Sequence, residues 1–95
     1  MDGEVKMEGI FDRTALLLGD EAMERLRKSH VAVFGVGGVG GYIVEALARS
    51  GIGEITVVDN DTVSPSNINR QIIATSSSIG LKKTACARER ILSIN

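Results

Sequence analysis

The chain has 95 residues, with eleven Lys plus Arg against twelve Asp plus Glu, a formal net charge of -1, and 43% hydrophobic and 24% charged residues. That is an ordinary globular composition, and without a global basic field the charge gives no argument for nucleic-acid binding. One cysteine, Cys86, excludes an internal disulfide framework and any CxxC zinc site, and no uninterrupted apolar run approaches the roughly 20 residues that span a bilayer.

The start, Met1-Asp2-Gly3-Glu4, is acidic and lacks the basic-then-apolar pattern of a signal peptide, so a cytoplasmic location is expected. Residues 1–10 are polar and unpatterned and read as a mobile arm, and residues 11–95 read as one domain. Asp12 is expected to cap a short helix through Leu18, stopped by Gly19. Asp20 is expected to cap a second helix to Lys28, with Glu21 and Glu24 near its positive end and Arg25, Arg27 and Lys28 near its negative end. Met23 and Leu26 form its apolar face.

Val31-Ala32-Val33-Phe34 is a short β-prone run ending directly in glycine, as a buried parallel strand does. Residues 40–50 read as a helix, with Ile43, Val44, Leu47 and Ala48 toward the sheet and Gly51 as its stop. Ile55-Thr56-Val57-Val58 is a second buried strand ending at Asp59. Strand, glycine turn, helix, strand is a βαβ unit, so the fold class is α/β, Rossmann-like, with amino-terminal helices. Residues 60–78 read as a loop, and a last helix is expected over 81–93, capped by Ser77 or Ser78, with Ala87, Ile91 and Ile94 inward.

Gly35-Val36-Gly37-Gly38-Val39-Gly40 is a G-x-G-x-x-G turn set straight between strand and helix. In such a turn the first glycine permits the bend, the second lets a ligand phosphate approach the backbone, and the third lets helix and strand pack closely. The helix amides then face an anion with the dipole behind them. Asp59 follows Gly40 by 19 residues, where a carboxylate can bond ribose hydroxyls. The competing reading is a turn that serves backbone geometry alone. The turn by itself does not say which nucleotide binds.

The loop after Asp59 narrows the choice. Asp59-Asn60-Asp61-Thr62-Val63 runs on through Asn67-Ile68-Asn69-Arg70-Gln71 to Gly80-Leu81-Lys82-Lys83. This arrangement resembles the adenylating core shared by ubiquitin-activating enzymes and the ThiF/MoeB/HesA family, from Arg13 to the last residue. Arg13-Thr14-Ala15-Leu16-Leu17-Leu18-Gly19, the Ser29-His30-Val31-Ala32-Val33-Phe34-Gly35 lead and Asn67-Ile68-Asn69-Arg70-Gln71 look most like its tRNA threonylcarbamoyladenosine dehydratases. Those enzymes use ATP to close the modified side chain of a tRNA adenosine into a ring with net loss of water.

The resemblance implies roles residue by residue. Gly35, Gly37, Gly38 and Gly40 form the cofactor turn, with the Gly38 amide on a phosphate, and Asp59 holds the ribose. Arg70 and Lys83 supply positive charge to the triphosphate, and Asn67 donates to a phosphate oxygen. Arg13 resembles an arginine that reaches into a partner subunit's site, which implies a homodimer. ATP is the expected cofactor, with magnesium held by a ligand outside this chain and no metal site within it.

Each role has a plainer competitor. Arg13 also reads, less readily, as a surface charge, Lys82 and Lys83 as the start of a solvated helix face, and Arg70 as a structural bridge to Asp61. Asn67 and Asn69 read as turn-shaping side chains. His30 and Cys86 need no special role: one reads as a surface or packing histidine, the other as a small buried hydrophobe.

The resemblance also implies further strands and helices beyond Asn95, hence an amino-terminal fragment with an incomplete parallel sheet, inactive alone. Two other activities stay open. One is adenylation of a ubiquitin-like sulfur-carrier protein, with sulfur-transfer proteins as partners. The other is NAD-dependent oxidoreduction, which the glycine turn and Asp59 support by themselves.

Overall fold

The computed structural model describes residues 7–95. Of the arm expected over 1–10, residues 1–6 lie outside the described residues, and Met7–Phe11 forms a 3-10 turn. Helix α1 (Asp12–Leu18), helix α2 (Asp20–Lys28), strand β1 (His30–Phe34), helix α3 (Gly38–Ser50), strand β2 (Glu54–Val58) and helix α4 (Lys83–Leu92) follow. The strands pair in parallel, His30 with Glu54 through Phe34 with Val58. With α3 as the crossover, the βαβ unit and the α/β class are as expected.

The helix starts differ from expectation. Asp12 and Asp20 lie inside the first turns of α1 and α2, and the N-caps are Phe11 and Gly19, without a side-chain cap. Gly19 donates its N–H to Ala15 O and is at once the end of one helix and the start of the next. A one-residue junction leaves no position for a separate aspartate cap. One residue into the helix, each carboxylate still meets the positive end of the dipole.

Helix α3 begins two residues before the expected 40, because the glycine turn itself winds into its first turn. Helix α4 starts at Lys83, not 81, with Lys82 as N-cap. Lys82 is drawn into an antiparallel bridge with Thr62, which holds its backbone extended. Neither expected serine caps α4: Ser78 Oγ accepts the Thr75 N–H at 2.8 Å and serves a local turn.

The core is aliphatic. Val33, Val36, Val44, Val63, Ile73, Ala74, Cys86 and Ala87 form one buried cluster, with Leu47, Ile55, Val57 and Ile91 packed against it. Val36 and Val44 are completely buried, so the glycine turn is anchored by its own second residue. Cys86 is a buried free thiol. Ile43, expected to face the sheet, is exposed and lines a shallow groove beside β1 with Phe34 and Val39. Among the described residues β1 and β2 pair only with each other, so that side of α3 has no strand to cover.

Candidate nucleotide site

Both strands finish at one end of the sheet, and the chain reverses there twice. The Gly35 N–H donates to Val58 O at 2.8 Å, which sets the start of the glycine turn level with the end of β2. Gly38, at φ 43, opens α3, and a Cβ on it would meet nothing within 4 Å. That conformation suits glycine, and the first amides of an α-helix have no acceptor in the preceding turn of their own helix. A Cβ on Gly40 would lie 1.7 Å from Gly35 O, so helix and strand end approach as closely as backbone allows.

Asp59 ties this turn to the following loop. Its Oδ2 accepts the Val36 N–H at 2.9 Å and its Oδ1 accepts the Asp61 N–H at 2.8 Å. A carboxylate has about four lone-pair positions, so acceptor capacity remains for hydroxyl donors. The Val36 bond is the main cause that holds the Asp59 carboxyl below the usual carboxylate range. Partial burial opposes it, and the Asp61 bond and the Lys83 charge add to it.

A depressed pKa means stability that is complete above the ordinary value of about 4 and lost as the pH falls through the lower, folded value. Asp59→Asn replaces one acceptor by an amide donor facing an N–H. It is expected to cost about 1–3 kcal/mol at pH 7. The gap to wild type should narrow below about pH 4, as the wild-type carboxylate itself protonates. Urea denaturation at pH 7 and pH 3 measures both; a gap that does not change with pH contradicts the assignment.

Lys83 sits at the first position of α4 and is only 7% exposed, while Lys82 beside it is exposed. Its backbone N–H donates to Asp61 O at 3.0 Å, and its Nζ stands 4.0 Å from Asp61 Oδ2, the outer limit of an ion pair. Lys83 therefore does not begin a solvated face: it brings a loosely paired ammonium to the Asp59–Asp61 turn.

Asn67 is buried and shapes its turn. Oδ1 accepts from the Ser64 N–H at 2.8 Å and from Ser64 Oγ at 3.1 Å, which fixes the orientation of the amide and leaves Nδ2 as the end not engaged by Ser64. Arg70 is exposed and donates from Nη1 to Ser66 O at 2.8 Å and to Asn69 Oδ1 at 3.3 Å; no bridge to Asp61 forms. Arg13 is exposed on α1, which packs on α2, and no hydrogen bond or ion pair links it to the cluster among the described residues. His30 is exposed at the start of β1, with Nε2 against Thr56 Oγ1.

Among the described residues no group of three or more His, Cys, Asp or Glu side chains could hold a metal ion, and no helix is long and apolar enough to cross a membrane.

The model of the ThiF family matches residues 11–95. The chain belongs to the ThiF family.

Among relatives, the chain is 52% identical over 75 residues to the tRNA threonylcarbamoyladenosine dehydratase of Haemophilus influenzae, covering 79% of this chain and 29% of that protein. It is 36% identical over 78 residues to the sulfur carrier protein adenylyltransferase of Thermus thermophilus, covering 82% and 29%. The crystal structure of the Escherichia coli tRNA N6-threonylcarbamoyladenosine dehydratase in complex with ATP superposes with a TM-score of 0.89 at 45% identity, over 93% of this chain and 36% of that one. The chain thus spans about a third of the length of the relatives it matches.

Three residues that shape this candidate site received no role of their own from the sequence. Val36 is the x of a glycine motif, yet its N–H is the donor to Asp59. Ser64 reads as loop, yet it fixes the Asn67 amide. Gln71 stands beside Arg70 in the quoted motif but is neither charged nor nucleophilic. Its burial against Gly37, with a Cβ at Gly37 falling 3.0 Å from Gln71 Nε2, emerges only from the fold.

Proposed function

We propose that residues 11–95 are the amino-terminal part of an ATP-dependent activating enzyme, and that its substrate is a tRNA carrying threonylcarbamoyladenosine. The observation that carries this reading is the meeting of the Gly38 turn, Asp59 and the buried Lys83 at one end of the sheet. A dinucleotide oxidoreductase needs the turn and the carboxylate, but has no use for a lysine whose largely buried side chain brings an ammonium to the same end. A triphosphate does. Identities of 52%, 49% and 47% to three tRNA-modifying relatives, against 47%, 46% and 36% to adenylyltransferases, favour tRNA over a sulfur-carrier protein as substrate by a narrow margin.

In this reading the Gly35–Gly40 turn and the start of α3 cradle phosphate, and Asp59 accepts from the ribose hydroxyls with its remaining lone pairs. Lys83, Arg70 and the Asn67 Nδ2 face the triphosphate. A carboxylate oxygen of the modified adenosine attacks the α-phosphorus and the bond to pyrophosphate breaks. Ring closure on the activated carbonyl then releases AMP, which carries away the oxygen lost as water. The protein's part is fixed positive charge and donors where charge develops.

Arg13 serves the site of a second copy, which its exposure on α1 supports. Leu16 and Leu17 on the same helix are 88% and 85% exposed, an apolar face that suits a homodimer. The magnesium ligand lies outside these residues, and the protein works in the cytoplasm.

The test supplies full-length protein, ATP and threonylcarbamoyl-modified tRNA, and follows the RNA by mass spectrometry. Loss of the mass of one water at the modified nucleoside is expected, and Arg70→Ala should slow it about tenfold or more. ATP turnover with a sulfur-carrier protein and none with tRNA would move the substrate to the other branch of the family.

A further inference from the structure

We propose that Glu45 and Arg90 are positioning residues of the nucleotide site: their ion pair ties α4 to α3 and so holds Lys83 in place beside the glycine turn. The inference deepens the nucleotide reading above and rests on it.

Glu45 lies on α3 and Arg90 on α4. Arg90 Nε donates to Glu45 Oε1 at 2.7 Å, and Arg90 Nη2 donates to Glu45 Oε2 at 2.9 Å. Arg49, on the next turn of α3, donates from Nε to Glu45 Oε2 at 2.7 Å. The Glu45 side chain is only 12% exposed, against 42% for Arg90 and 57% for Arg49. Of the two arginines, Arg90 is the stronger partner. Its bond is the main cause that holds the Glu45 carboxyl below the usual carboxylate range; partial burial opposes it, and the Arg49 bond adds less. Among the described residues this is the one ion pair that joins two helices.

The rest of the packing between α3 and α4 is apolar: Val44 and Leu47 of α3 share the core cluster with Cys86, Ala87 and Ile91 of α4. Burial of that kind is non-directional, whereas a bidentate guanidinium–carboxylate pair fixes geometry.

Its position gives the link its role. Glu45 follows Gly38, the first residue of α3, by seven residues, and Arg90 follows Lys83, the first of α4, by seven. Both helices start at the same end of the sheet, so the link lies about 10 Å down each axis. One helix carries the glycine turn, the other the lysine. Near its start α4 is held by the Lys83 N–H on Asp61 O. The Arg90 pair is the second fixed point, and two points set the direction of a helix. The Lys83 ammonium, 4.0 Å from Asp61 Oδ2, is too loosely paired to set its own place.

The test is calorimetric titration of the full-length protein with ATP, paired with thermal melts. The variants are Arg90→Met, Arg49→Met, Glu45→Gln, and Lys83→Met alone and combined with Arg90→Met. Arg90→Met leaves Glu45 bonded to Arg49, while Arg49→Met removes the same charge but keeps the link between helices. Arg90→Met is expected to weaken ATP binding about fivefold, and Arg49→Met no more than about twofold. Glu45→Gln cuts the link from the other helix and should match Arg90→Met. In the Lys83→Met background, Arg90→Met should cost no more than about twofold, because the residue it positions is gone.

Wild-type affinity in Arg90→Met and Glu45→Gln, with only their melting temperatures lowered, overturns the proposal and leaves the pair a structural one. Equal losses in Arg49→Met and Arg90→Met overturn it in favour of diffuse charge. An undiminished loss in the Lys83→Met background overturns it too, since the effect would not pass through Lys83. Absence of ATP binding by the wild type, or normal binding by Lys83→Met, is a separate result: it removes the reading on which this inference rests.

Discussion

Gly40→Ala is expected to destabilise the protein more than any other single glycine substitution in the turn. The added Cβ would stand 1.7 Å from Gly35 O and 2.8 Å from Gly35 C, both backbone atoms, so no side chain can swing aside. The start of α3 has to move off the end of β1. That displacement also pulls on Val36, which is fully buried and bonded to Asp59. Overpacking of this kind costs about 3 kcal/mol or more. For a domain of this size it lowers the melting temperature by about 12 °C or more.

Gly38→Ala provides the contrast. A Cβ there meets nothing within 4 Å, so only the left-handed backbone resists it, at about 1–2 kcal/mol. Thermal melts of the two variants check the ordering. Equal losses would mean that the turn is limited by backbone conformation and not by the helix–strand approach.

Lys83→Met is expected to weaken ATP binding by about 100-fold while changing stability little. Its side chain is largely buried, but the ammonium stands 4.0 Å from Asp61 Oδ2, its ion-pair partner among the described residues, and its pull on Asp59 is the smallest of the causes there, so little ion pairing is lost with it. Replacing a loosely paired buried charge by an apolar side chain of similar length is near neutral for folding. A buried charge lost from a phosphate contact is not neutral, since such contacts carry a few kcal/mol. Lys82→Met is the control: Lys82 is exposed, and its loss should change affinity no more than about threefold, by screened charge alone. Titration of both variants and the wild type with ATP separates the two positions. Equal effects would reduce Lys83 to one member of a diffuse basic face.

The βαβ unit was legible because each of its parts has a short-range cause. Val31 to Phe34 and Ile55 to Val58 are short apolar runs ended by Gly35 and Asp59, and the glycine motif between them has one geometric use. Helix starts were less legible. Asp12 and Asp20 carry the chemistry of caps, but the chain reverses in the single residue Gly19, and that junction is decided by how α1 packs on α2. Lys82 and Lys83 cannot be told apart by residue type. The Thr62–Lys82 bridge sets the register that buries one and exposes the other, and its partners lie 20 residues apart.

The site divides in the same way. Asp59, Asn67, Arg70 and Lys83 declare themselves by charge or amide at family spacing. Their partners do not: Val36 contributes a backbone N–H, Ser64 an anchoring hydroxyl, and Gln71 a carboxamide against Gly37. Arg13 remains apart from all of them within one chain, consistent with the proposed role in a second copy.

The most direct test of an ATP site built on Gly38, Asp59 and Lys83 is a competition titration of the protein with ATP and NAD. ATP is expected to bind, to be displaced by inorganic tripolyphosphate, and to be unaffected by NAD in about tenfold excess. Displacement of ATP by an equal concentration of NAD, with no effect of tripolyphosphate, would contradict the triphosphate site and return the glycine turn to a dinucleotide.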